Sequence, residues 1–191
     1  MIKMKICITG LIGSGKSSVL SILKKYGFDI YSTDEINNEL LKDDSYLKEL
    51  KENFGTGIFI NGKLDKKALA KIIFTDESKR KLLNSLSHPA IINRLIDIIK
   101  GAKGDIFVEI PLLADSNLAP LFDKVWLVES KNEVRLQRIM KRDIVTKELA
   151  LAKISSQKRY HDELKRLATD IIYNNGDLNY LEKQINKLLQ R

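Results

Sequence analysis

The sequence predicts an α/β fold in which about five short strands form a parallel sheet flanked by helices. Three observations favour this fold. Short apolar runs alternate along the chain with longer stretches of helical periodicity. A glycine-rich turn joins the first apolar run to the first helical stretch. The 191 residues, 43% hydrophobic and 30% charged, fit one globular domain with a substantial core.

The elements follow in order from apolar runs and helical spacing. Strands are predicted at 5–9, 28–31, 105–110, 124–128 and 169–173. Helices are predicted at 15–26, 34–41, most of 46–100, 131–167 with a break near 143–146, and 177–190. The block 46–100 shows no convincing strand, only a turn at Asn61-Gly62, and Pro89 predicts a helix break there because proline suits the first turn of a new helix.

The helical block between the second and third strands is too long for a minimal crossover between parallel strands. It is therefore interpreted as an insertion that binds a substrate. We predict a single domain with a core of residues 1–42, 101–130 and 168–191. The helical insertion is placed at 43–100 and a lid region at 131–167.

Composition excludes several classes of protein. Cys7 is the single cysteine, and His88 and His161 are the two histidines, so neither an intramolecular disulfide nor a Cys/His zinc cluster can form. No uncharged stretch reaches the roughly 18 residues that a membrane helix needs. Residues 1–10 show no cleavage site of a secretory signal. The cytoplasm is the predicted location.

The chain is basic, with a net charge of +8. Residues 131–166 hold eleven Lys/Arg and five Asp/Glu, so they carry most of that charge. Such a segment favours an anionic partner, which on charge alone is a nucleic acid, an anionic lipid surface or a phosphorylated small molecule. A solvated helix face explains the charge equally well. Tyr160 is the one aromatic residue of the segment, which argues against a stacking platform for single strands.

The most specific motif is GLIGSGKS at residues 10–17, which fits G-x-x-x-x-G-K-[ST] between a predicted strand and a predicted helix. Glycines let the backbone fold tightly, so that N–H groups and the helix N-terminus face a phosphate. Lys16 can reach the β- and γ-phosphates, and the Ser17 hydroxyl can ligate Mg²⁺. The motif therefore predicts a bound nucleotide and Mg²⁺, and it is shared by GTPases, ATPases and small-molecule kinases. The predicted cofactor-binding residues of this motif are Ile12, Gly13, Ser14, Gly15, Lys16, Ser17 and Ser18.

Two acids lie at predicted strand ends, where parallel sheets bind ligands. Asp34 can accept a proton from an attacking hydroxyl, hold Mg²⁺ through water, or only offset the dipole of its own helix. Glu109 stands where a second Mg²⁺-holding carboxylate is found in phosphate-loop proteins, although an N-cap or an ion pair fits equally well. Ser17 and Glu109 are the predicted metal ligands.

Other polar residues leave alternatives open. Arg135, Arg138 and Arg142 share one helix face, which suits a lid over ATP or a solvated surface. Asn175 lines an adenine pocket or forms a plain turn. His88 caps a helix, packs in the core, or binds an anionic or hydroxyl-bearing acceptor.

Taken together, these motifs resemble the dephospho-CoA kinase family, which performs the last step of coenzyme A synthesis. The resemblance covers nearly the whole chain and includes the Gln157 region. It rests on ITGLIGSGKSS, STDEI, FGTGIFINGKLDKKALAKIIF, LLNSLSHPAI, VEIPLL, QRIMKRD and TDIIYNNG. Many kinases share the phosphate-binding motif, whereas its combination with His88-Pro89 and the following PLL is far more specific.

The resemblance implies a P-loop NTPase core with three α/β/α layers, as in nucleoside monophosphate kinases. It implies ATP-dependent phosphorylation of the ribose 3′-hydroxyl of dephospho-CoA. Asp34 is then the general base, with Lys16 and the lid residue Arg142 as further catalytic groups and with Arg138 and Asn175 at the nucleotide. The substrate-binding residues implied are Asp34, His88, Pro89, Leu112 and Leu113.

The chain departs from the family at three places. Ser32-Thr33-Asp34 stands for Asp-x-Asp and keeps the acid that the mechanism needs. Asp115 is shorter than the usual Glu, and Ala168-Thr169 replaces Ala-Asp. The last two departures weaken any role for those positions but leave the phosphate-binding motif intact.

Rival functions remain at this point. Another phosphate-loop kinase acting on a nucleoside or nucleotide would differ in its acceptor. A nucleotide-gated nucleic-acid-binding protein would use the basic segment and bind with a steep salt dependence. A GTPase ranks low because the chain has no Asn-Lys-x-Asp sequence. We expect ATP and dephospho-CoA as partners, no nucleic acid or membrane partner, and a monomer or weak homo-oligomer.

Overall fold

The computed structural model describes residues 3–111 and 113–190. Its main sheet contains β1 (Lys5–Thr9), β2 (Asp29–Ser32), β5 (Ile106–Glu109), β6 (Lys124–Glu129) and β7 (Asp170–Tyr173). All pairings are parallel, and the strand order is β2-β5-β1-β6-β7. The predicted five-stranded parallel sheet is confirmed, with strand ends that shift by about one residue from the apolar runs.

The described chain divides into two compact units, residues 33–101 and the remainder. The insertion was predicted at 43–100, whereas the second unit begins at residue 33. The second unit therefore also contains the helix that follows β2. The first unit holds the main sheet and the helices α1 (Lys16–Lys25), α6 (Asn132–Asp143), α7 (Lys147–Ser156), α8 (His161–Leu167) and α9 (Leu178–Leu189). The segment 131–167 thus contains three helices, not the two predicted, although the break near 143–146 is confirmed.

The core of the first unit forms where α1 and α9 pack on the sheet. Phe107 lies between Phe28 and Trp126, with ring centroids 5.0 and 5.4 Å away. The buried residues of this core come from the strands and the two helices: Ile6, Ile8, Val19, Ile22, Leu23, Phe107, Trp126, Val128, Ile172, Leu181, Ile185 and Leu188. Because β1 lies between two paired strands, its carboxyl end has a rigid position.

The second unit is mainly helical and has a core of its own. Its elements are α2 (Thr33–Leu40), α3 (Asp44–Phe54), β3 (Phe59–Ile60), β4 (Lys63–Leu64), α4 (Lys66–Thr75) and α5 (Glu77–Gly101). Tyr46, Leu50, Ile58 and Leu69 form the buried centre of this unit. None of the helices in the described parts of the chain has the length and apolar character that crossing a membrane requires.

Two local predictions in this unit are wrong. The turn at Asn61-Gly62 joins a short antiparallel hairpin, where no strand was predicted. Both turn residues have positive φ, 50° and 77°, which matches the tight turn that Asn-Gly favours. At Pro89 the predicted break does not occur, because Pro89 lies inside α5, a continuous helix of 25 residues. The ring removes one N–H, the partner of the Ser85 carbonyl, and the remaining bonds keep the helix intact.

Candidate active site

The phosphate-binding motif forms a loop between β1 and α1, which we call the phosphate loop (residues 10–15). Gly13 and Gly15 have φ values of 78° and 91°, which side chains disfavour. A Cβ on Gly13 would lie 2.9 Å from the Arg135 carbonyl oxygen, and one on Gly15 would lie 2.0 Å from Asn174 Nδ2. Both glycines are therefore required for space as well as for conformation.

The N-terminus of α1 is open to an anion. Gly15 is its N-cap, and among the described residues no side chain caps it and no acid lies in its first turn. The Ser18 N–H donates to the Gly15 carbonyl at 3.0 Å, and the positive dipole end of the helix favours an anion at this terminus. Ser17 and Ser18 lie in this first turn. This arrangement is the one that binds phosphate groups in many nucleotide sites.

Lys16 and Glu109 are brought together by the pairing of β1 with β5. Lys16 Nζ donates to the Gly10 carbonyl at 2.9 Å and lies 3.9 Å from Glu109 Oε1. The Thr9 hydroxyl donates to the Ile110 carbonyl at 2.8 Å, which fixes the chain beyond Glu109 against the end of β1. The predicted proximity of Glu109 to the phosphate loop is thus seen in the structure.

The residues predicted to hold Mg²⁺ offer a hydroxyl at Ser17 and a carboxylate at Glu109. Oxygen donors of this kind suit Mg²⁺, which keeps several waters and takes substrate phosphate oxygens as further ligands. Within residues 3–111 and 113–190, no group of three or more His, Cys, Asp or Glu could hold a metal alone. The donor set therefore fits a cation shared with a nucleotide.

The second half of the phosphate loop is fastened by side chains that follow β6 and β7 and by one side chain from α6. The Ser14 carbonyl has three donors near it: Asn174 Nδ2 at 3.0 Å, Arg138 Nη1 at 3.1 Å and the Ser130 hydroxyl at 3.0 Å. Arg138 Nη2 also donates to the Asn174 carbonyl at 3.0 Å. Burial lowers the pKa of Arg138 from its ordinary value, and these acceptors surround its guanidinium.

The first half of the loop is fastened at Ile12. Its N–H donates to Gln157 Oε1 at 2.7 Å, and its carbonyl accepts from Arg135 Nε at 2.8 Å. Arg135 is only 5% exposed, and burial lowers its pKa, partly offset by the charge of Glu129. Both partners come from the segment between β6 and β7.

A cavity of about 840 Å³ opens beside the loop, between the end of β6 and helices α6, α7 and α8. Two buried atoms of its lining residues, Ser14 Oγ and Arg135 Nη2, have no hydrogen-bond partner among the described residues. Glu129 also lines it, 3.1 Å from His161 Nε2 and 3.6 Å from Lys165 Nζ. Buried donors of this kind call for water or a polar ligand.

Arg142 and Asn175 have different surroundings from Arg138. Arg142 is exposed, and its Nε donates to Asp143 Oδ1 at 2.7 Å. Asn175 is exposed too, and its Oδ1 accepts from the Lys131 N–H at 2.7 Å. Asn175, which was predicted to line an adenine pocket, therefore fixes the start of the segment that carries Arg138.

The remaining predicted residues are distributed between the units. Asp34 is the second residue of α2, and His88 and Pro89 lie inside α5 in the second unit. Leu113, in the first unit, is buried with 1% exposure. Leu112 lies outside the described residues.

Four contributors to the loop were not predicted as site residues: Ser130, Arg135, Gln157 and Asn174. Asn174 is 4% exposed and lies beside Asn175, which was the asparagine predicted to bind the nucleotide. Polar residues at strand ends were the available signal, because ligands bind at that edge of the sheet. Nothing in local sequence shows that the first asparagine turns inward and the second outward.

Comparison with known proteins gives the family. The dephospho-CoA kinase family model matches residues 4–180. A dephospho-CoA kinase of Fusobacterium nucleatum is 36% identical over 190 residues, covering 98% of this chain and 97% of the relative. The chain belongs to the dephospho-CoA kinase family. The resemblance inferred from the motifs is thereby confirmed.

Solved structures similar to this chain include a dephospho-CoA kinase. That enzyme, from Campylobacter jejuni, is 30% identical, with 99% of this chain and 96% of that chain covered and a TM-score of 0.74. TT1252 from Thermus thermophilus is also 30% identical, with 100% and 98% covered and a TM-score of 0.85. The predicted P-loop NTPase fold is confirmed, and as a member of the dephospho-CoA kinase family the protein is a kinase.

Proposed function

We propose that this kinase transfers the γ-phosphoryl group of ATP to the ribose 3′-hydroxyl of dephospho-CoA, which gives CoA and ADP. The observation that carries the proposal is the phosphate loop, fastened on both halves and leading into the open N-terminus of α1. Membership of the dephospho-CoA kinase family supports the acceptor.

The phosphate loop binds the triphosphate through backbone N–H groups and the N-terminus of α1. Lys16 leaves the Gly10 carbonyl and contacts the β- and γ-phosphate oxygens, where its charge stabilises the charge that develops during transfer. Ser17 and Glu109 would hold Mg²⁺, which would supply positive charge that offsets the charge of the phosphates. Arg138 and Asn175 complete the nucleotide side.

Asp34 accepts the proton of the 3′-hydroxyl as that oxygen attacks the γ-phosphorus. His88, Pro89, Leu112 and Leu113 belong to the acceptor side of the proposal. Arg142 contributes positive charge when the part of the lid region around residues 142–147 closes and excludes water, which limits hydrolysis of ATP. The basic charge of the lid region then serves two polyanionic substrates.

The proposal requires neither a nucleic acid nor a membrane partner. It describes the enzyme as a monomer or weak homo-oligomer in the cytoplasm, where ATP is available. The net charge of +8 is accounted for by substrates that both carry phosphate groups.

The decisive experiment compares the wild type with Asp34→Asn and Asp44→Asn. Both acids lie in the first turn of a helix of the second unit, so the pair separates general-base chemistry from the helix dipole. Conversion of dephospho-CoA to CoA is followed with ATP·Mg²⁺, and ATP affinity is measured by calorimetry. Asp34→Asn should lower kcat by about 10²–10⁴-fold with ATP affinity kept. Asp44→Asn should behave like the wild type.

Two outcomes would change the proposal. If folded wild type binds ATP but forms no CoA, the acceptor is wrong, and a panel of nucleosides and nucleotides identifies the true one. If Asp34→Asn keeps full kcat, the reaction stands, but Asp34 is not its base.

A further inference from the structure

The backbone of Ile12 is held from two sides by a segment that follows it by more than a hundred residues. Gln157 accepts from its N–H at 2.7 Å, and Arg135 donates to its carbonyl at 2.8 Å. With both groups engaged, the flanking peptide planes cannot rotate without breaking a hydrogen bond. The adjoining Gly13 is confined as well, because a Cβ there would meet the Arg135 carbonyl oxygen at 2.9 Å.

Gln157 is itself held in place. It is the C-cap of α7, and its N–H donates to the Ile154 carbonyl at 3.2 Å. Its own carbonyl accepts from the Tyr160 N–H at 3.1 Å, and the buried Tyr160 donates its hydroxyl to Asp115 Oδ2 at 2.6 Å. The acceptor presented to Ile12 therefore belongs to a fixed turn and not to a freely rotating surface side chain.

We propose that Gln157 is a positioning residue for ATP: it holds the Ile12 peptide, with Arg135 as the second anchor, in the orientation that the phosphate loop needs. The inference rests on the proposed binding of ATP at this loop. Gln157 acts through the backbone, and its contact atom is Oε1.

The physical reason is preorganisation. The N–H groups that follow Ile12 must converge on the phosphates, and a rotated Ile12 peptide would turn the next N–H away. If the competent loop becomes only a fraction of the population, the apparent dissociation constant of ATP rises in inverse proportion to that fraction. The acceptor substrate is unaffected, because Gln157 holds the nucleotide loop.

The test replaces Gln157 by methionine, which has a similar length and no comparable acceptor, and by glutamate, which keeps an acceptor oxygen. Gln137→Met is the matched control, because Gln137 is an exposed glutamine of the same segment. Four quantities are measured: the ATP dissociation constant by calorimetry, KM for each substrate, Tm, and hydrogen exchange of the Ile12 amide by NMR. Calorimetry and exchange need no acceptor turnover, so they remain informative if dephospho-CoA proves to be the wrong acceptor.

Gln157→Met should weaken ATP binding about fivefold, the effect of losing one neutral hydrogen bond. It should raise KM for ATP by the same factor, leave KM for dephospho-CoA within about twofold, and speed exchange of the Ile12 amide. Gln157→Glu should keep the slow exchange, and Gln137→Met should match the wild type in every measurement. Unchanged ATP affinity in Gln157→Met overturns the proposal. Equal changes in both KM values together with a lower Tm also overturn it, because they indicate a general structural role.

Discussion

The two ends of α6 carry arginines of the same helix face in opposite surroundings. Between its first turn and its middle, Arg135 and Arg138 turn inward and donate to carbonyls of the phosphate loop. At its end, Arg142 is exposed and pairs with the neighbouring Asp143. The next residue, Ile144, is 92% exposed and has a φ of 52°, a conformation that branched side chains rarely adopt.

The difference separates two uses of arginine in one phosphate site. An inward-turned arginine that donates to backbone carbonyls of the loop fixes the shape of the loop. An exposed arginine held by one local acid can exchange that partner for a ligand phosphate at little cost. Under the proposed function, the end of α6 that is bonded to the phosphate loop would set the binding of ATP, and the exposed end would act in the step in which charge develops.

The largest expected effect comes from placing a side chain on Gly15 of the phosphate loop, next to Asn174. Gly15→Ala places a Cβ 2.0 Å from Asn174 Nδ2, an atom held by the Ser14 carbonyl, at a φ of 91°. Either the loop or Asn174 must move, so ATP affinity measured by calorimetry should fall by about 100-fold or more, the scale of losing two or more hydrogen bonds to a charged ligand.

Gly27→Ala is the control for that variant. Gly27 has a similar φ of 81°, but a Cβ there would meet nothing within 4 Å. It should cost about 1–2 kcal/mol of stability through the backbone alone and leave ATP affinity unchanged. Equal losses of ATP affinity in both variants would show that conformational strain, not the packing of Asn174 on the loop, governs binding.

Two single variants, Arg138→Met and Arg142→Met, test the comparison between the two ends of α6 directly. Arg138→Met removes donors to Ser14 and Asn174 and should lower the free energy of unfolding by about 2–3 kcal/mol. ATP affinity should fall with it by about tenfold. Arg142→Met should leave Tm and ATP affinity close to the wild type and lower kcat by about 10–100-fold, because a charge near the transferred phosphoryl group is lost.

Two results would contradict these roles of Arg138 and Arg142. If Arg142→Met weakens ATP binding and Arg138→Met lowers only kcat, the roles of the two ends are reversed. If Arg142→Met changes nothing, the segment's end lies outside the reaction, and its arginine belongs to a solvated face.

The pattern of α6 explains what sequence reasoning could predict. The strands and the phosphate loop follow from apolar runs and from a motif whose residues are adjacent in the chain. Spacing placed three arginines on one face of a helix but could not tell the two that turn toward the phosphate loop from the exposed one. That distinction depends on Ile12 and Ser14, more than a hundred residues away.

The same limit explains the residues that were missed. Asn174 lies 160 positions from its acceptor Ser14, and a contact at that separation has no local signal. At Pro89 the local sequence predicted a helix break that is absent. The other hydrogen bonds and contacts of α5 keep the helix continuous despite one lost hydrogen bond.

The smallest expected effect concerns the exposed end. Asp143 accepts from Arg142 Nε at 2.7 Å and from Lys153 Nζ at 2.5 Å, so it joins the end of α6 to α7. These two cations, Arg142 first, hold the pKa of the Asp143 carboxyl well below its ordinary value. A carboxyl with a lowered pKa in the folded state stabilises that state at any pH above its unfolded pKa of about 3.9. The contribution disappears as the pH falls through the folded pKa.

Wild type should therefore have a slightly higher Tm than Asp143→Asn at pH 7, and the difference should stay constant down to about pH 5. Below about pH 4 the difference should shrink, because the unfolded chain then binds a proton that the folded protein excludes. Arg142→Met should flatten this dependence, since it removes the larger of the two causes. A Tm difference that persists unchanged below pH 4 would mean that Asp143 acts through contacts that do not depend on its charge and that asparagine does not reproduce. The exposed end would then be held by geometry and not by charge, and Arg142 would be less free to exchange its partner for a phosphate.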